Sequence, residues 1–257
     1  MPRNGHRSWT ILVGLAAAAF GCGGGTGLSP VTYPFVARGS DAAPFTTNGW
    51  AITVDDARVG IGPLYLCASQ SASADLCGTA VAEFAATAVV DATRTDSQPL
   101  GEITGFDGTV HSALYDFAFS WPDERGARAL PGAPDGHSAM LAVTARKGDR
   151  TLRVRAALDI APQQPRAHAV QARLAATPQT AALRLEITVS ASAWWRHVDF
   201  DALSLAAADD IVLPALSDTS ADDPAAAPDV RAAAGARAAL LAAMTSTDRP
   251  NLVFTTP

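Results

Sequence analysis

The nine residues TLRVRAALD, Thr151 to Asp159, alternate in character with a period of two. Leu152, Val154, Ala156 and Leu158 point one way, while Thr151, Arg153, Arg155 and Asp159 point the other. That is the signature of a strand with one buried and one wet face. The stretch from Ala181 to Ala191 repeats it, with Leu183, Leu185, Ile187 and Val189 opposing Arg184, Glu186, Thr188 and Ser190. Upstream of the first stretch, His137–Ala145 reads as a partner strand. Arg146-Lys147-Gly148-Asp149 between them is a short glycine-bearing turn of hairpin type.

Working outward, Trp50–Val54, Val59–Cys67, Val110–Trp121 and His168–Leu174 read as further strands, and Ala113, Tyr115, Phe117 and Phe119 share one face of the third. Asn48-Gly49 precedes Trp50 at a strand start, which marks that indole as core. Val81–Asp91 fits strand or helix, because its alanines favour helix. Ala227–Thr245 reads as helix, with Pro228 near its start, Asp229 and Arg237 suitably placed along it, and an apolar stripe of Val230, Ala234, Leu241 and Met244. Asn251–Phe254 reads as a closing strand. Two long irregular stretches, Trp121–Gly136 and Ala206–Pro228, separate these elements, and no repeat of fixed period is present. The expected fold is mainly β: one antiparallel β-sandwich over residues 31–257 with a C-terminal helix packed at one end or face.

Ahead of this body lies an apolar run, Trp9 to Phe20, preceded by Arg3 and Arg7 and followed by Gly21 and Cys22. The run is shorter than the roughly 20 residues of a membrane span and suits the apolar region of an export signal. The order of basic start, apolar segment, small residue and cysteine resembles a bacterial lipoprotein signal peptide. The resemblance covers only the first two dozen residues. It implies removal of residues 1–21, lipidation of Cys22 with palmitate-type acyl chains, and anchorage in the cell envelope, at the outer membrane of a Gram-negative bacterium. The competing reading is an ordinary secretory signal cut within Ala16–Ala19. Gly23, Gly24, Gly25, Thr26 and Gly27 follow the cysteine, so residues 22–30 are expected to form a flexible tether.

Processing at Cys22 removes Arg3 and Arg7 and leaves 17 Lys+Arg against 25 Asp+Glu, a net charge of −8. A body that acidic does not suit nucleic acid, so the partners expected are the membrane, through the lipid, and an envelope protein or small-molecule ligand. With Cys22 acylated, Cys67 and Cys77 remain as a pair in an oxidising compartment, where disulfides persist. A metal site is the weaker alternative for two thiols ten positions apart.

Residues that could carry chemistry are few. Ser138 sits in Gly136-His137-Ser138-Ala139-Met140, but the second glycine of a nucleophile elbow is missing, and on a strand His137 would face away from the serine. His111, His137, His168 and His197 are isolated from one another in sequence. If Trp194–Asp201 were extended, His197, Asp199 and Asp201 would share a face able to hold a divalent ion, although a strand showing its polar side to water explains the pattern as well. Asp218, Asp222 and Asp223 lack the glycine and terminal acid of a calcium loop. Trp194 and Trp195 would face opposite ways on such a strand, leaving one indole exposed as a partner anchor, with Trp121 a second candidate; two indoles closing the core is the plainer alternative.

No cofactor is predicted and no catalytic constellation is visible. The reading is an envelope-anchored lipoprotein acting as a non-enzymatic binding or accessory module. The alternatives are a metal-handling lipoprotein with His197 and Asp199 as ligands, and an exported hydrolase. Mass spectrometry of the processed protein is expected to show an N-terminus at Cys22 carrying acyl mass, with Cys22→Ser abolishing that mass.

Overall fold

The computed structural model describes residues 27–40, 43–69, 80–120, 128–162, 167–174, 183–213 and 227–255, the segment 167–174 by its backbone alone. The body is mainly β, two packed sheets sharing one hydrophobic core, with a helix near the C-terminus.

The larger sheet has eight strands: β1 (Pro30–Gly39), β4 (Leu64–Cys67), β5 (Ala80–Phe84), β7 (Gln98–Phe106), β8 (Gly108–Tyr115), β11 (Ala167–Leu174), β12 (Arg184–Val189) and β14 (Asn251–Thr255). They lie in the order β11-β8-β4-β5-β7-β1-β12-β14, and the two end strands touch, so the sheet curls almost to closure. The smaller sheet contains β2 (Phe45–Thr47), β3 (Trp50–Ile61), β9 (Ala139–Lys147), β10 (Arg150–Leu158) and β13 (Asp210–Leu213), in the order β13-β10-β9-β3-β2. A short strand, β6 (Ala88–Asp91), also pairs with β3. Most pairings are antiparallel. Two are parallel, β1 with β12 and β10 with β13, which refines the expected antiparallel sandwich.

The alternation that decided the fold is realised directly. Leu152, Val154, Ala156 and Leu158 of β10 are buried against Leu185, Ile187 and Val189 of β12 and their neighbours in a common core, while Arg153 and Arg155 face out. Lys147 pairs with Arg150 across the two-residue turn Gly148-Asp149. A second tight hairpin joins β2 to β3 through Asn48 (φ 48°) and Gly49 (φ 80°). Two consecutive positive φ values match the twist of the flanking strands, and Asn-Gly adopts them at little cost. This hairpin turns Trp50 into the core, where it is 2% exposed.

Val81–Asp91 resolves into β5 and β6, not helix. Ala82 and Phe84 alternate inward between β4 and β7, and strand pairing on both sides overrides the helical preference of the alanines. β1 had no sequence-based expectation because Pro30 and Pro34 interrupt its pattern. Pairing with β12 begins only at Phe35, so neither proline sits where that neighbour needs an N–H.

The C-terminal helix, α3 (Pro228–Ala242), continues through a wider turn over Ala243–Thr247. Pro228 stands in its first turn, as its fixed φ allows. The buried face is Ala236, Arg237, Leu240, Ala243 and Met244, rotated from the expected stripe, and Val230 is exposed. This face packs on β13 and on two short helices, α1 (Ala191–Trp195) and α2 (Phe200–Leu203).

Gly105 of β7 lies so close to β5 that a Cβ there would sit 2.3 Å from the Val81 carbonyl oxygen and 2.4 Å from the Ala82 Cα. Gly235, exposed in the middle of α3, has nothing within 4 Å of the same position. In chemical denaturation, Gly105→Ala is therefore expected to lose about 1–3 kcal/mol. Gly235→Ala is expected to gain about 0.5–1 kcal/mol by restoring helix propensity.

Candidate functional site

Trp194–Asp201, which would share a polar face if extended, instead forms the end of one short helix, a turn over Arg196–Asp199 and the start of another, and the reason is local. Ser190 caps α1 by accepting from the Ala193 N–H (3.4 Å), and Asp199 caps α2 by accepting from the Ala202 N–H (3.0 Å). Each is a polar cap residue whose side chain satisfies an otherwise unpaired N–H of the first turn, a signal present in the sequence. The shared face of His197, Asp199 and Asp201 therefore does not exist. His197 Nε2 meets Asp248 Oδ2 at 2.5 Å, and Asp199 is occupied as a cap. Asp201 Oδ1 accepts from Lys147 Nζ (2.7 Å) and Trp50 Nε1 (2.9 Å). The Lys147 hydrogen bond, followed by that of Trp50, holds the Asp201 carboxyl below its ordinary range. Among the described residues, no three His, Cys, Asp or Glu side chains are grouped to hold a metal ion.

Both indoles of the Trp194-Trp195 pair are fully buried, since a helical turn sends both toward the core. Trp194 Nε1 donates to the Asp248 carbonyl (2.7 Å), and Trp195 packs against Phe200 with ring centres 6.2 Å apart. Neither presents a surface to a partner. Trp121, Cys22, Cys77, Asp218, Asp222 and Asp223 lie outside the described residues. Cys67 ends β4, buried. His168 lies on β11, and His111 is half-buried on β8.

His137 joins a pair that sequence could not show: its Nδ1 meets Asp159 Oδ1 at 2.8 Å, bringing the start of β9 to the end of β10. Arg237 of α3 is close enough for the Asp159 charge to oppose the lowering of its pKa by burial. A histidine oriented by a carboxylate is half of a nucleophilic triad. Ser138 beside it does not complete one. Ser138 is fully buried, and its hydroxyl accepts from the Ile160 N–H at 2.9 Å.

The feature that stands out as a surface for recognition is the outer face of the smaller sheet. Register places Asp56 of β3, Ala142 of β9, Arg155 of β10 and Val212 of β13 in one row across four strands. Met140 and Ala157 form the adjacent row. Ala142 and Ala157 are diagonal neighbours, too short to fill the space between the longer side chains. Together these residues line a shallow, mainly apolar trough of about 210 Å³. Val212 stands at its edge, 65% exposed. Asp56 is engaged by Arg58, whose Nε and Nη2 reach it at 3.1–3.2 Å, and Arg58 Nη1 also meets Asp135 at 2.9 Å. Arg155 makes no such bond among the described residues and stands free on the opposite wall.

No protein-family model matches the chain, and no curated protein matches it. Among solved structures, MbnP from Methylosinus trichosporium is similar at a TM-score of 0.31 and 13% identity, over 79% of this chain and 88% of that chain. A likeness at that level carries no argument about function.

The placement of Ser138 yields a direct test. Ser138→Ala leaves the buried Ile160 N–H without its acceptor, so it is expected to lose about 1–3 kcal/mol of stability. The wild-type serine is expected to remain unlabelled by a fluorophosphonate probe under native conditions.

Proposed function

We propose that the chain is an envelope lipoprotein, anchored through Cys22, whose β body is a non-catalytic binding module working through the outer face of its smaller sheet. The observation that carries this reading is the trough over Ala142 and Ala157. On an exposed sheet face, side chains of ordinary length would fill the space, whereas here two alanines leave a depression walled by Met140, Val212, Arg155 and Asp56. A depression with an apolar floor and a few polar groups on its rim suits one anchoring side chain of a partner or a small apolar group of a ligand.

Other features support a binding role over a catalytic one. His137 is oriented by Asp159, yet the adjacent serine hydroxyl is enclosed. The trough lies on β9 and β10, joined over nine residue pairs and flanked by β3, so its walls are held by ladder hydrogen bonds rather than by loops. A site built on strands needs little ordering when a partner arrives, which lowers the entropic cost of association. Among the described residues no helix is long and apolar enough to cross a membrane. Attachment in this reading falls to the acylated cysteine and the glycine-rich segment behind it, with a Cys67–Cys77 disulfide bracing the loop after β4.

Ala142→Trp fills the trough from a half-buried position on the outer face of a strand, where aromatic residues are well accommodated. Affinity purification of the full-length protein from its native envelope is expected to recover a partner with the wild type and with Thr53→Trp, which lies on the same face outside the trough, and to lose it with Ala142→Trp. All three proteins should melt within a few degrees of one another. Recovery of the same partner by Ala142→Trp would remove the trough from consideration.

A further inference from the structure

The trough is bordered by an arrangement of charge that the overall acidity of the chain conceals. Arg153 and Arg155 stand two residues apart on the outer face of β10, and Arg146 lies on the same face of β9. Thr151 is the register partner of Arg146, and Thr144 that of Arg153, so Arg146 and Arg153 are diagonal neighbours. Side chains two apart on a strand are spaced by about 6.6–6.8 Å. Diagonal neighbours on adjacent strands lie about 7–8 Å apart. The three guanidinium-bearing positions therefore form a bent row with a nearly even step.

All three are exposed, and none makes an ion pair or side-chain hydrogen bond among the described residues. Carboxylates share the face, and none makes an ion pair to these three arginines among the described residues. Asp56 is bound by Arg58, and Asp55 accepts from the Thr144 hydroxyl at 2.7 Å. Asp210 is the register partner of Arg153 on β13 without an ion pair between them. Several other arginines do form ion pairs: Arg38 and Arg184 with Glu186, Arg94 with Asp96, and Arg150 with Asp209. Three neighbouring guanidinium groups without an ion pair among the described residues leave their donor forks open to an incoming carboxylate, although Asp210 and Asp55 stand nearby.

The even step matches the spacing of alternate side chains in an extended polypeptide. We infer that the outer face of the smaller sheet docks an extended acidic segment of a partner protein, with an apolar side chain in the trough over Ala142 and Ala157 and carboxylates at alternate positions on Arg155, Arg153 and Arg146. This rests on the outer-face reading above and adds the chemistry of the partner. Guanidinium groups suit it, because each presents a planar fork of donors to a carboxylate. Steering by like-placed opposite charge would also speed encounter and impose a strong salt dependence.

The probe is a fluorescent synthetic peptide of one leucine and three glutamates separated by serines, titrated into the full-length protein in detergent micelles. The expected result is saturable binding that weakens at least about tenfold when salt rises from about 0.05 M to about 0.5 M. Arg153→Glu combined with Arg155→Glu should weaken it by at least about tenfold with an unchanged melting curve, and a peptide carrying lysines in place of the glutamates should bind that variant. Equal affinity for a peptide whose three glutamates are consecutive would overturn the inference. So would undiminished binding to the double variant, or capture of phosphatidylglycerol vesicles without capture of the peptide. The native partner separates this from the broader reading. If Ala142→Trp loses that partner while the double variant keeps it, the acidic-segment inference falls and the outer-face reading stands; if both variants keep it, both fall.

Discussion

The contact between the helical end and the smaller sheet is made by three rings and one carboxylate. Phe200 lies between Trp50 and Trp195, with centroid separations of 6.1 and 6.2 Å, while Asp201, the next residue, accepts from both Trp50 and Lys147. Lys147 in turn lies 5.7 Å from the Trp50 ring centre and donates to the Asn48 carbonyl. The β2–β3 hairpin, the β9–β10 hairpin and α2 are thus tied at one point. Arg196 adds a second tie, its guanidinium 4.6 Å from the Phe45 ring centre. Burial of these rings stabilises the junction, and the polar contacts fix the orientation in which they are buried. The other face of the sheet, with its trough over Ala142 and Ala157, is left uncovered by these elements.

Sequence reading recovered the elements whose burial obeys strict alternation. β10 and β12 alternate without interruption, and the Arg146–Asp149 turn between β9 and β10 contains its glycine, so all three were evident. β1 escaped because prolines stand at two of its positions, and their tolerance depends on which neighbour pairs at which residue. Trp194–Asp201 was misread as a strand for a different reason. Two caps, Ser190 and Asp199, announced short helices, but apolar and polar residues alternate across the turns that join them and imitate a period of two. The orientation of α3 could not be inferred either. Alanine is too small and too frequent along it to mark a face, and burial of Arg237 beside Asp159 depends on a partner 78 positions away.

The trough was hidden for a reason of dimension. Ala142 and Ala157 are inconspicuous on their own strands, and only lateral register makes them diagonal neighbours with Asp56 and Arg155 at either side. A sequence displays the neighbours along a strand; a binding face on a sheet is assembled across strands. The same holds for the His137–Asp159 pair, whose members are separated by a whole hairpin. By contrast, the outward direction of Arg153 and Arg155 was readable from alternation alone. Their lack of ion pairs among the described residues was not, because it depends on how Asp55, Asp56 and Asp210 are placed by other strands.

The way the two sheets end bears on behaviour in a crowd. In the larger sheet the terminal strands β11 and β14 approach one another, which restricts access to its margins. The smaller sheet ends in β2 and β13, three and four residues long. Strand margins this brief offer a poor template for edge-to-edge polymerisation. Crowded copies of the body therefore have little exposed strand margin through which to zip into fibrils.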